Sequence, residues 1–151
     1  MKSHFVAFVL FFCALFSATA IAEPIPMSVQ KTNGCGCCLS WMEHLKENGF
    51  APKGEDMYAG LLVRLKIDSG VPQSMFSCHT AFVDGYLVEG HVPAADIHRL
   101  LEERPEALGL AVPGMPYGSP GMGPEEDRES YDVFLIRKDG STEVFTSYSG
   151  N

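Results

Sequence analysis

Cys35-Gly36-Cys37-Cys38 sets three thiols within four residues, and a fourth, Cys78, stands beside His79 further along the chain. Cys35 and Cys38 have the C-x-x-C spacing of a dithiol redox pair. Cys37 is one thiol more than such a pair needs. It cannot bond to the adjacent Cys38 without a strained ring, because disulfides favour Cα atoms about 5.5 Å apart. Pairing of Cys35 with Cys38 would leave Cys37 free to face Cys78. The unpaired N–H groups and positive dipole end of a helix N-terminus stabilise thiolates. Thiolates crowded there repel one another, and a soft cation relieves the repulsion. Sulfur ligands select Cu(I), whereas zinc prefers a closed tetrahedral set. Adjacent cysteines suit sulfur-bridged copper, and bridging allows more than one ion per chain. The competing reading is two disulfides stapling a small exported domain, although staples usually join distant segments and close long loops.

Other side chains extend this set. Cys78 is the candidate fourth sulfur. His79 is either an imidazole ligand or a hydrogen-bonded, partly buried histidine. Met115 lies on a Pro/Gly-rich loop, as an apolar anchor or as a thioether lid over a Cu(I) site. Met122, on the same loop, reads as an anchor. His91, just before Pro93, reads as a cap or surface group, and His44 and His98 as solvated helix-face residues.

The elements that must position these groups follow from periodicity and turn signals. Residues 27–31 alternate weakly as a strand and run into the cysteines. A helix follows over 38–48, with Leu39, Met42 and Leu45 as its apolar stripe and Asn48-Gly49 as its stop. A second strand over 50–57 and a helix over 58–67 come next, the latter carrying Leu61, Leu62 and Leu65 on one side. Residues 80–83 and 86–90 form a hairpin about Asp84-Gly85. Pro93 opens a helix with Ile97, Leu100 and Leu101, which Pro105 ends. The order β-α-β-α-β-β-α over 27–104, with thiols where the first strand meets the first helix, is the thioredoxin arrangement. It predicts that Cys78, just before the third strand, faces the thiol helix. Residues 105–130 are rich in Pro, Gly and Met without helical period, and a final hairpin over 131–148 turns at Asp139-Gly140. Residues 105–151 are therefore expected as an extension packed on a thioredoxin-like domain of residues 23–104, since so few apolar positions make a meagre core alone.

Met1-Lys2-Ser3-His4, the apolar run Phe5–Phe16 and Ala20-Ile21-Ala22 have the three parts of a secretory signal peptide. Residues 1–22 are expected to be removed, placing the mature chain in an oxidising exported compartment. The apolar run is shorter than the roughly 20 residues of a membrane span, and no later segment is long and apolar enough for one. With 151 residues, 46% of them hydrophobic and 20% charged, the chain has the size of one domain. Its net charge of −8, without a basic run, argues against nucleic acid as a partner. Nucleotide, flavin and haem motifs are absent from the sequence.

These residues resemble the CopG-type copper resistance proteins. The resemblance runs from the C-x-C-C element, Trp41 and His44-Leu45 through Ser77-Cys78-His79-Thr80, Val83-Asp84-Gly85-Tyr86 and Glu89-Gly90-His91-Val92-Pro93. It continues over Gly109–Pro116, Gly118–Met122 and Tyr131-Asp132-Val133. One departure, Thr32-Asn33-Gly34 before the first cysteine, alters the approach loop and leaves every thiol in place. The resemblance implies a periplasmic thioredoxin-like protein whose extension helps to bind copper, with a part in interconverting Cu(I) and Cu(II). By position the metal sulfurs are Cys35, Cys37, Cys38 and Cys78; His79 and Met115, and after them His91 and Met122, are further candidate ligands. Copper ions, and copper efflux or other periplasmic copper-handling proteins, are the partners so implied. A copper oxidoreductase, a non-redox copper chaperone and a metal-free thiol–disulfide oxidoreductase using Cys35 and Cys38 remain as alternatives.

Overall fold

A computed structural model describes residues 23–151; the expected signal peptide lies outside the described residues. The chain folds as β1 (Ile25–Thr32), α1 (Gly36–Glu47), β2 (Phe50–Met57), α2 (Ala59–Asp68), β3 (His79–Val83), β4 (Tyr86–Glu89), α3 (Ala94–Glu103), β5 (Gly109–Ala111), β6 (Tyr131–Ile136) and β7 (Thr142–Tyr148). It is a mixed α/β fold, with one seven-stranded sheet in the order β2-β1-β3-β4-β5-β6-β7. The expected pattern differs in detail. A 3-10 turn at Gln73–Met75 precedes β3, and α1 begins two residues earlier than its apolar pattern indicates. β5, unforeseen, lies parallel to β4 and ties the final hairpin into the same sheet. None of the described helices is long and apolar enough to cross a membrane.

β1 runs parallel to β2 and antiparallel to β3, pairing Lys31 with His79. The β3–β4 hairpin closes on Asp84 and Gly85, both with positive φ (45° and 87°), as a tight two-residue turn requires. Successive strand residues face opposite sides of the sheet. On one side Val29, Ala81 and Val88 pack with Trp41 and Leu45 of α1 and Ile97 and Leu100 of α3. On the other Leu87, Ala111 and Ile136 form a smaller cluster with Val71 and Met75. His79 therefore shares the α1 side with Ala81, while Thr80 and Glu89 point to the opposite side with Leu87.

Two helix stripes are displaced from expectation. In α1 the buried residues are Cys38, Trp41, Met42 and Leu45, and Leu39 is exposed. Starting the helix at Gly36 puts Cys38 on the inner face ahead of Trp41 and Met42. In α2 Leu62 and Lys66 are buried, one turn apart, and Leu61 is exposed. The closing hairpin is held to α3 by polar contacts: Tyr148 donates its hydroxyl to Asp96 (2.7 Å), Thr146 donates to the other Asp96 oxygen, and the Arg99 guanidinium lies 3.6 Å from the Phe145 ring centroid.

Candidate metal centre

Three segments converge at one end of the sheet: the start of α1, the chain entering β3, and the loop after β4. Cys35 is the N-cap residue of α1, in extended backbone and without a side-chain cap, and Cys37 and Cys38 occupy the first turn. Cys35 and Cys38 are joined by a disulfide with Cα atoms 5.3 Å apart, whereas Cys37 and Cys78 are free thiols. The Cys37 sulfur is 3.5 Å from that of Cys35 and 3.7 Å from that of Cys78; Cys38 and Cys78 are also 3.7 Å apart. The expectation that Cys78 faces the thiol helix is thus met in distance.

Cys78 also joins a second group. Its sulfur lies 3.3 Å from Nδ1 of His79 and 3.0 Å from Nε2 of His91. Donor atoms within each set, Cys35/Cys37/Cys38/Cys78 and Cys78/His79/His91, lie within 4.8 Å of one another. Cys78 is the member common to both. His91 is wholly buried, which corrects the reading of it as a cap or surface residue. The Pro120 carbonyl accepts a hydrogen bond from Nδ1–H of His91 (2.8 Å), so Nε2 carries the lone pair and aims it at Cys78.

Burial sets the protonation of the uncharged site. It pushes the Cys78 thiol up to about 12, the neighbouring Cys37 adding to the rise and Lys66 opposing it. His79 is held well below its ordinary value by burial first, then by the charges of His91 and Lys66. His91 is lowered by burial as well. The site without metal thus keeps neutral imidazoles and a protonated Cys78, and a cation entering it displaces protons. Nδ1 of His79 faces Cys78, while its Nε2 is buried with no hydrogen-bond partner, a state that costs about 1–3 kcal/mol. Soft sulfurs and neutral imidazoles converging on one point fit a thiophilic metal.

Trp41 reports on this centre. It is fully buried, donates its indole N–H to the Val92 carbonyl (2.9 Å), and packs against His79 with ring centroids 4.2 Å apart and planes tilted by 38°. It is the single tryptophan of the chain. Copper binding at Cys78 or His79 is expected to quench its fluorescence in step with saturation, and a titration that left the emission unchanged would put copper elsewhere.

The remaining sequence candidates lie on α1 and on the loop between β5 and β6. Met115 is 53% exposed, on the loop whose Gly114 pairs with Ser77 beside Cys78. Met122 closes a turn, donating its N–H to Ser119 and accepting from Gly118 through its carbonyl (2.8 Å each). His44, expected to be solvated, instead accepts the Ala94 N–H on Nε2 at 3.1 Å. Sequence reasoning missed the backbone of this loop. Gly121, at φ +83°, lies so close to α1 that a Cβ there would sit 2.6 Å from the Trp41 nitrogen and 2.8 Å from the Cys37 carbonyl oxygen. A glycine between Pro120 and Met122 was the available signal for close approach.

Two solved structures are similar to this chain in sequence and fold. One is "Copper resistance protein copG- Form 1", 44% identical over 85% of this chain and 100% of its own, with a TM-score of 0.78. The other, "Copper resistance protein copG- Form 2", is 44% identical over 83% and 99% of the two chains, with a TM-score of 0.76. The chain belongs to the CopG copper resistance protein family. Residues 75–122 also match the family described as "Protein of unknown function, DUF411". That stretch holds Cys78, His79, His91, Met115 and Met122, but stops short of the C-x-C-C element. No curated protein matches the chain.

Proposed function

We infer that the protein is an exported, periplasmic copper-binding protein of copper resistance, cleaved near Ala22, that interconverts Cu(I) and Cu(II) for detoxification or export. The observation carrying this reading is the convergence of three further sulfurs and two imidazoles on Cys78. Cys35, Cys37, Cys38 and Cys78 would hold the metal, with His79 and His91 completing the second group. Met115 and Met122, on the loop above, are the outer thioether candidates. Membership of a copper resistance family supports copper over zinc, as does the sulfur-rich donor set. The order of the first seven elements and the thiols at the β1–α1 junction support a thioredoxin-like domain of residues 23–104 with residues 105–151 as its extension. When bound, copper supplies one-electron chemistry. The chain supplies sulfurs that favour the reduced ion, imidazoles that tolerate either state, and a buried wall that limits water.

The Cys35–Cys38 disulfide restricts this site, because a disulfide sulfur has no thiolate charge to give. Two electrons and two protons convert it to two thiols and restore four sulfur donors. The same disulfide favours a second reading, a metal-free thiol–disulfide oxidoreductase using Cys35 and Cys38.

The test is a Cu(I) titration against a chromogenic chelator, under oxygen-free conditions, with protein either reduced or air-oxidised. The copper reading expects tight binding by reduced protein, weaker binding after oxidation, and a further loss in Cys37→Ser. Redox cycling with copper retained would then separate an oxidoreductase from a carrier. Undiminished disulfide reductase activity in Cys37→Ser, with no competition for Cu(I) by the reduced wild type, would favour the exchanger instead.

A further inference from the structure

Behind the metal centre, on the opposite side of the sheet, lies a buried ion pair that the copper chemistry does not use. Lys66 of α2 and Glu89 of β4 are 2% and 0% exposed, and their charged atoms are 2.5 Å apart. Two charges so buried are expensive to desolvate, and an apolar pair of similar size is often as stable or more so. Stability alone is therefore a weak account of them.

Their hydrogen bonds suggest another role. The Glu89 carboxylate accepts the Ser77 backbone N–H on Oε1 (2.7 Å) and the Thr80 hydroxyl on Oε2 (2.7 Å). Lys66 donates to the Thr80 hydroxyl oxygen at 2.8 Å as well as to Glu89. Ser77 and Thr80 bracket the two residues Cys78 and His79. The Gly90 N–H donates to the His79 carbonyl (3.0 Å), so the loop after β4 grips the same segment next to its own His91. Ser77 in turn donates its hydroxyl to the Gly114 carbonyl, linking the same clamp to the Met115 loop. Each polar atom of the carboxylate is thus committed to the chain that presents the shared ligand.

The geometry points to Glu89, held by Lys66, as a positioning residue for the metal centre: it fixes the Ser77–Thr80 segment so that Cys78 and His79 meet the thiols of α1. This rests on the reading of the centre as a copper site. Glu89 touches no ligand atom of that site. Its effect passes through the Ser77 N–H and the Thr80 hydroxyl. Outer groups that orient metal ligands typically change affinity by about 10–100-fold when removed.

The experiment compares wild type, Glu89→Gln, and the double variant Lys66→Met/Glu89→Leu, which replaces the ion pair by apolar groups. Three quantities are measured on reduced protein: thermal melting and amide hydrogen exchange over residues 77–80, both without metal, and Cu(I) affinity with its near-ultraviolet thiolate absorption. The double variant removes the paired charges but also the acceptor of the Ser77 N–H and the Thr80 hydroxyl, so it is expected to melt somewhat lower than wild type while exchanging faster at 77–80 and losing about 10–100-fold in Cu(I) affinity, with an altered absorption band. Glu89→Gln, which keeps one acceptor oxygen, is expected to fall between. If the double variant fails to fold, Glu89→Gln decides alone by the same measurements. Wild-type affinity and absorption in a folded variant would overturn the proposal. So would lost affinity with unchanged exchange, since charge and not position would then be the cause. A wild type that binds no copper would refute the copper reading, and the exchange data would still show whether Glu89 holds the segment.

Discussion

Replacing Cys78 by serine is expected to abolish tight copper binding, with an affinity loss of about a thousandfold or more. That exceeds the 10–100-fold typical of groups one shell further out. Cys78 is the one residue shared by the four-sulfur group and the cysteine–histidine group. Removing Cys37 leaves three sulfurs and both imidazoles near each other, whereas removing Cys78 leaves the imidazoles without a sulfur link to α1. Serine keeps the size of the side chain but substitutes a hard, reluctantly ionised oxygen for a soft sulfur. Cys78 is only half-buried, so the metal-free protein should lose no more than about 1 kcal/mol of stability. Chelator competition on reduced protein would measure the loss, and the thiolate absorption should weaken with it. The pH dependence adds a second readout. Burial and the neighbouring Cys37 keep the Cys78 thiol protonated at neutral pH, so metal must displace its proton, and wild-type affinity rises with pH. Cys78→Ser should show a shallower rise, by one proton. Equal affinity losses in Cys37→Ser and Cys78→Ser would contradict the shared-ligand arrangement.

What could be read from the sequence divides along a physical line. The thiol cluster, the Asp84-Gly85 turn and the approach of Cys78 to α1 depend on residue type and element order, and these are local or topological signals. The phases of α1 and α2 were harder, because hydropathy counts every leucine as inward-facing. Leu39 and Leu61 are exposed, while Cys38 and Lys66 take buried places on those helices. A lysine in an apolar stripe has no hydropathy signal; its meaning came only with Glu89, 23 residues away in sequence and buried beside it. β5 has three residues, too few for any alternation to show. Its presence matters because it makes the final hairpin continuous with the sheet that bears the site. The setting of His91 depends on the carbonyl of Pro120, and a backbone carbonyl has no residue type to read.

The same loop should be the most sensitive backbone position outside the sulfurs. Gly121→Ala would add a Cβ at 2.6 Å from the Trp41 nitrogen, 2.8 Å from the Cys37 oxygen and 3.0 Å from the Trp41 Cα. These are backbone atoms of α1, which no rotamer change can move aside. Left-handed backbone costs a non-glycine residue about 1–2 kcal/mol. Overpacking against fixed atoms adds about 1–3 kcal/mol, for a total of about 2–5 kcal/mol. Gly114 provides the control: it also has positive φ (69°), but a Cβ there would meet nothing within 4 Å. Gly114→Ala should therefore show the conformational cost alone. Thermal melting is expected to fall by about 5–15 °C in Gly121→Ala and by clearly less in Gly114→Ala. The functional consequence follows from the neighbouring residue. Lifting the loop off α1 withdraws the Pro120 carbonyl from His91, and the ring is then free to turn Nε2 away from Cys78. Copper affinity should drop about tenfold or more in Gly121→Ala, as for loss of an orienting partner. If both alanine variants melt alike and bind copper equally well, the loop does not hold the centre together, and His91 keeps its aim by other means.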